Sequence, residues 1–99
     1  MDIHYELNAT RFVWHAKKAA SNPLKHDGIT FEQAAAVFFD PFFELLEAGR
    51  NEEMRDAIIG FYAFCRLLFV VHVEIEGESI RIISALRATN EERYRHEHS

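Results

Sequence analysis

Arg66-Leu-Leu-Phe-Val-Val-His-Val-Glu-Ile75, followed by Glu76-Gly-Glu-Ser79 and Ile80-Arg-Ile-Ile-Ser-Ala-Leu86, decides the fold. Both apolar runs carry the β-branched and aromatic mix that suits a pleated, half-buried surface. The four residues between them form a compact turn, so the runs are expected to pair as an antiparallel hairpin. Arg55 to Phe61 has the same character and adds a third strand, joined through Tyr62 to Cys65, where no Asn-Gly pair marks a turn. Beyond the meander, Thr89 and Glu92 make a capping-box pair that starts a polar terminal helix running to about Glu97.

On the N-terminal side, Thr30 and Gln33 form another capping-box pair. Phe31, Ala34, Ala35 and Phe38 follow at i, i+3, i+4 and i+7, one buried helical stripe. Asp40-Pro41 ends that helix and, with Asp as N-cap and Pro at the first position, predicts a further short helix over 41–48, closed by Gly49. His15 to Lys25 is rich in Ala and Lys and reads as an earlier helix, limited by Pro23 and followed by an Asp27-Gly28 turn. The first dozen residues show little period, although Phe12-Val-Trp14 suits a short strand. The expected architecture is α+β: N-terminal helices packed on a small antiparallel sheet, then a C-terminal helix, in one domain over 1–99.

With 48% hydrophobic and 27% charged residues, four glycines and two prolines, the chain is ordinary globular material rather than disordered or collagen-like. No apolar run, Leu67 to Val71 included, approaches the roughly 20 residues of a membrane span. Met1-Asp-Ile-His-Tyr-Glu has neither the basic start nor the apolar stretch of a secretory signal, and the single Cys65 has no internal disulfide partner. These features predict a cytoplasmic domain with no membrane association.

Eleven basic against sixteen acidic side chains give a net charge of −5, which excludes nucleic-acid binding by bulk attraction. The basic residues of the second half are nevertheless all arginines: 50, 55, 66, 81, 87, 93 and 95. A guanidinium binds phosphate through a planar donor fork, so a few well-placed arginines act locally despite an acidic total.

Six histidines are scattered with no H-E-x-x-H and no cysteine pair, so no metal site is expected. Cys65 lies among Phe64, Leu67 and Leu68, surroundings of a packing cysteine rather than a nucleophile. No glycine-rich phosphate loop is present, and no cofactor is expected. What remains is a set around the predicted sheet. Arg66 opens a strand and His72 shares its face six residues later; Arg81 and Arg87 share parity on the last strand; Tyr94 sits on the terminal helix. Such a set suits RNA cleavage without a metal, in which a ribose 2′-hydroxyl attacks the neighbouring phosphate with help from a base, an acid and cations. On spacing alone it suits better a packed core histidine with arginines paired to glutamates across strands.

Three N-terminal pieces resemble the opening of the BrnT-type toxin family: Trp14-His-Ala-Lys17-Lys-Ala19-Ala-Ser-Asn22, Lys25-His26-Asp-Gly28-Ile-Thr-Phe31-Glu32-Gln-Ala34, and Asp40-Pro41. Arg55-Asp-Ala-Ile-Ile-Gly60, Arg66-Leu67-Leu68-Phe-Val70-Val71, Arg81-Ile82-Ile83-Ser84-Ala85, and Ala88-Thr89 with Glu92-Arg93-Tyr94 are similar to its middle and end. The resemblance covers roughly residues 12 to 95.

It implies a compact RelE-like fold, a metal- and cofactor-free ribonuclease that arrests translation, and a cognate ribbon-helix-helix antitoxin that supplies any DNA contacts. By position Lys25 and His26 fall in its Lys-His motif, Arg66 and Arg81 at its strand arginines, and Tyr94 at its terminal-helix tyrosine. With the residues of the sheet added, Arg66, Arg81 and Arg87 are expected to bind phosphate and neutralise charge, His26, His72 or Tyr94 to transfer protons, and Lys25, His26 and Arg55 to contact RNA. The family usually reads Ser-Ala-Arg where this chain has Ser84-Ala85-Leu86, with Arg87 one residue late, and a one-residue shift on a strand turns a side chain to the other face. That departure, with the acidic net charge, raises a second reading: a weakened toxin that holds its antitoxin in a repressor complex. Nine phenylalanines, among them Phe38, Phe39, Phe42 and Phe43, also point to an aromatic surface for a partner or for self-association.

Overall fold

The structure, a computed structural model, describes residues 1–47, 56–62, 66–75 and 79–98. Gly49, Arg55, Cys65 and the Glu76-Gly77-Glu78 turn lie outside these. Chain order is β1 (Asp2–Leu7), β2 (Thr10–His15), α1 (Ala16–Lys25), α2 (Phe31–Val37), β3 (Glu44–Glu47), β4 (Asp56–Tyr62), β5 (Arg66–Ile75), β6 (Ser79–Arg87) and α3 (Asn90–Glu97). Among the described residues the strands form one sheet in the order β1-β2-β6-β5-β4-β3. Neighbours are antiparallel except β2 and β6, which run parallel with Arg11 opposite Ser79 and Val13 opposite Arg81.

The fold class is α+β as expected, but the sheet is larger than a three-stranded meander and mixed rather than antiparallel. Two differences account for this. The N-terminal dozen residues form a β1–β2 hairpin turned by Asn8 and Ala9, both at positive φ (49° and 64°), the conformation of a tight hairpin loop. Residues 44–47 form an edge strand instead of the second half of a helix over 41–48. Asp40 does not cap a helix there. One of its carboxylate oxygens accepts from the Phe42 N–H at 3.1 Å and the other from the Phe61 N–H at 2.8 Å, which ties the turn to β4.

The other elements follow their local signals. Both capping boxes form: Thr30 and Thr89 accept from the N–H of Gln33 and Glu92, whose side chains accept from the cap N–H in return. His15 caps α1 through its Nδ1, which accepts from the Lys17 N–H at 3.1 Å. Pro23 sits in the last turn of α1, and Asp27 (φ 53°) and Gly28 (φ 77°) then reverse the chain.

Helices α1 and α2 cover one face of the sheet. Their buried side chains meet Phe12 and Trp14 of β2, Ile58 of β4, Leu68 and Val70 of β5, and Ile82 and Ala85 of β6. Each large side chain withdrawn from water here contributes about 1.5–3 kcal/mol. Helix α2 approaches so closely that a Cβ on Gly60 of β4 would stand 2.9 Å from Val37 Cγ1 and 3.1 Å from Asp40 Oδ2. On the opposite face, α3 lies over Leu46, Ile59 and Phe69, held by His96, whose Nδ1 is 3.0 Å from Glu44 Oε1 and whose ring meets Phe61 edge-on at 5.5 Å.

Candidate active site

The backbone of β6 decides which cations can cooperate. Val71 lies opposite Ser84 but His72 lies opposite Ile82, so Ile83 is an extra residue, a β-bulge. The burial pattern agrees: Ile82 and Ala85, three apart, are both buried under α1 and α2, which an unbroken two-residue alternation forbids. The bulge overturns the expectation that Arg81 and Arg87 share a face. Arg87, opposite Leu68, belongs to the face covered by α1 and α2. Arg81, opposite Val73, belongs to the other face. Six residues along a strand also put them roughly 20 Å apart.

At the Arg87 end of the sheet several predicted residues come together. Arg87 Nη1 is 3.8 Å from Asp27 Oδ2, so the turn that follows α1 lies against the end of β6. Lys25 closes α1 and His26 is its C-cap, donating its backbone N–H to the Asn22 carbonyl at 2.9 Å. Lys25 is exposed and His26 half-buried. Two residues before Leu68, the partner of Arg87, β5 begins at Arg66, so its backbone enters the sheet at this end.

Asn22, not singled out by sequence for any role, holds the turn in place. It is buried, its Nδ2 donates to the carbonyls of Ile29 (2.9 Å) and Ala85 (3.0 Å), and its Oδ1 accepts from the Ala85 N–H at 3.2 Å. Strand β2 pairs with β6 only as far as Arg81, and the Asn22 amide satisfies the β6 backbone where that strand has ended. Its one sequence signal is weak: it shares a helix face with Ala19, three residues earlier.

The remaining predicted residues lie elsewhere. The Arg81 guanidinium makes a bidentate pair with Asp2, at 2.8 and 3.2 Å. That hydrogen-bonded pairing holds the Asp2 carboxyl below its ordinary value and raises Arg81 above its own. His72 is 1% exposed, with Nδ1 3.5 Å from the Val70 carbonyl oxygen and its ring edge-on to Phe38 at 4.9 Å. It forms part of the wall of a cavity of about 240 Å³ with Phe39, Phe43, Leu45 and Glu74. Tyr94 is exposed on α3 and stacks on His98, ring centroids 3.9 Å apart. Leu86, opposite Phe69, belongs to the face that Arg87 does not share. Among the described residues no three His, Cys, Asp or Glu side chains converge as a metal site would require, and no helix is long and apolar enough to cross a membrane.

Comparison with known proteins places this geometry. The family profile described as ribonuclease toxin, BrnT, of type II toxin-antitoxin system matches residues 14–92. The chain is similar in fold to the ribonuclease toxin BrnT of Brucella abortus, whose crystal structure was determined at 1.1 Å resolution. The TM-score is 0.61 and the identity 19%, over 78% of this chain and 94% of that one. No curated protein sequence matches. The profile match extends from Trp14, near the end of β2, to Glu92 in α3, taking in both capping boxes, the Lys25-His26 turn and strands β3 to β6. The chain belongs to the BrnT family of ribonuclease toxins of type II toxin–antitoxin systems.

Proposed function

We propose that this toxin cuts RNA without a metal ion, at the end of the sheet where Lys25, His26, Arg87 and the start of β5 meet, and that it inhibits translation by doing so. The observation that supports the reading is the ion pair of Arg87 with Asp27, which sets the Lys25-His26 turn, anchored by Asn22, against the end of β6. In the proposed reaction a ribose 2′-oxygen loses its proton to a base and bonds to the adjoining phosphorus. The bond from phosphorus to the 5′-oxygen breaks, and that oxygen takes up a proton. The products are a 2′,3′-cyclic phosphate and a 5′-hydroxyl. Arg87, Lys25 and Arg66 bind the phosphate and offset the charge that builds on it, and His26 moves a proton, work suited to imidazole near neutral pH.

Arg81 enters this scheme only if a phosphate replaces the Asp2 carboxylate on its guanidinium. Buried His72 suits packing better than proton transfer, and Tyr94 stands apart on α3. The partner in this reading is a ribbon-helix-helix antitoxin that masks the site and carries the DNA contacts, with both proteins in the cytoplasm.

The test is RNA cleavage by the purified chain in excess EDTA, with Arg66→Ala and Arg87→Ala measured separately. Losing one phosphate-binding guanidinium should slow cleavage on the order of 100-fold, whereas unchanged rates in both variants would remove this end of the sheet from the reaction. One observation favours the second reading, a weakened toxin kept for antitoxin binding: Leu86 occupies the family's arginine position, and Arg87 lies on the opposite face and cannot replace it.

A further inference from the structure

At the end of the sheet away from Arg87, where the C-terminal end of α2 meets β5 and β6, lies the cavity of about 240 Å³ that His72 helps to wall. It is smaller than the roughly 300–1,000 Å³ of pockets that enclose whole ligands, and suits a single ring system. Phe38, Phe39 and Phe43 line it, and Phe39 and Phe43 are 39% and 40% exposed, so their rings are open to an incoming group. Glu74 and Thr10 line it as well. Among the described residues the Glu74 carboxylate and the Thr10 hydroxyl have no hydrogen-bond or ion-pair partner.

Aromatic side chains take the face of an unstacked base whatever its identity, so selectivity falls to the hydrogen-bonding groups. An ionised carboxylate only accepts. Adenine and cytosine offer it an amino group beside a ring-nitrogen acceptor, and uracil offers one N–H between two carbonyl oxygens. Each of these sets a lone pair against the carboxylate. Guanine presents N1–H and N2–H side by side, a matched pair of donors for two carboxylate oxygens, and hydrogen bonds to an ionised acceptor are the strong ones. A phosphate has nothing to bind here, because no Lys or Arg lines the cavity. A guanidinium would pair with Glu74 but leave most of the aromatic lining uncovered. We propose that this cavity receives a guanine base and that Glu74 selects it by accepting from N1–H and N2–H. The ribonuclease reading enters only as the source of that base, a single strand of RNA. Glu74 lies six residues beyond Leu68, the partner of Arg87, so roughly 20 Å separates the cavity from the proposed catalytic end. The base held would be some nucleotides away from the bond that is cut.

The probes are the 5′-monophosphates of guanosine, adenosine, cytidine and uridine, and a deoxyribose tetranucleotide with one guanine among thymines, each titrated into the isotope-labelled full chain. None of them can be cut through a 2′-hydroxyl, so failure here is distinct from failure of the ribonuclease reading. Guanosine monophosphate should shift the signals of Phe39, Phe43 and Glu74 and bind about tenfold more tightly than the other three. Tighter binding of the tetranucleotide would assign the cavity to a base within a strand, and equal binding to a free nucleotide; the guanine site stands in either case. Glu74→Gln, at an exposed position, should abolish the preference for guanine, and Phe43→Ser should weaken binding of every base by about tenfold. Equal affinity for the four monophosphates, no binding of any, shifts mapped away from the cavity, or a preference that survives Glu74→Gln would overturn the proposal. So would tighter binding of acetyl-arginine amide than of guanosine monophosphate, which would assign the cavity to a cationic side chain of another protein.

Discussion

Replacing Asn22 by alanine removes three hydrogen bonds at once: to the Ile29 carbonyl at 2.9 Å, to the Ala85 carbonyl at 3.0 Å and from the Ala85 N–H at 3.2 Å. All three lie in the interior, where water cannot easily take over, and Ala85 itself is fully buried. At about 1 kcal/mol net for each bond, the variant should lose about 3 kcal/mol. For a domain of this length that lowers the melting temperature by roughly 15 °C. Urea unfolding followed by circular dichroism measures the first quantity and a thermal scan the second. Hydrogen exchange adds a local reading: protection at Ala85 and at the 26–28 turn should fall more than protection in α2. Asn22→Asp sharpens the test, because a carboxylate keeps the bond from the Ala85 N–H but faces two carbonyl oxygens it cannot donate to. It should be at least as destabilising as alanine. A loss below about 1 kcal/mol in either variant would refute the view that this amide stands in for a missing strand.

Gly60→Ala places a methyl 2.9 Å from Val37 Cγ1 and 3.1 Å from Asp40 Oδ2 and should cost about 1–3 kcal/mol in urea unfolding; a neutral result would mean that α2 shifts freely. Because Arg81 depresses the Asp2 carboxyl, the stability that pair contributes is present above its ordinary value of 3.8 and is lost as pH falls through the lower folded-state value. Asp2→Asn should therefore differ from wild type most in thermal scans at neutral pH, with the difference closing in acid; a gap that persists in strong acid would assign it to packing. Leu86→Arg restores a guanidinium on the face shared with Arg81, and RNA cleavage should rise on the order of tenfold if that face takes part in the reaction. An unchanged rate would exclude a limiting role for position 86.

Where structure is dictated within a few residues, it was legible in the sequence. Thr30 with Gln33, Thr89 with Glu92, and Asp27-Gly28 each determine their backbone locally, and the β-branched runs in β4, β5 and β6 needed only each other. Strand β1 was obscured because its hairpin turns on Asn8-Ala9, and alanine at positive φ carries none of the glycine signal that marks such turns. Asp40-Pro41 misled because an aspartate that caps a helix and one that braces a turn look alike until β4 brings its Phe61 N–H. The site suffered most. Nothing in Ile82-Ile83-Ser84 announces a bulge, since no glycine or proline is present, yet that one residue moves Arg81 and Arg87 to opposite faces. Asn22 was equally silent, because its partners are backbone atoms, those of Ala85 sixty-three positions away.

The parallel seam between β2 and β6 bears on how the protein is made. Arg11, Phe12 and Val13 find their neighbours only when Ser79, Ile80 and Arg81, each sixty-eight positions later, have left the ribosome. At about 5–20 residues per second the N-terminal hairpin waits several seconds with one border open. Arg87 follows Arg81 in the chain, so the proposed catalytic end is completed only after the residues of this seam have been made.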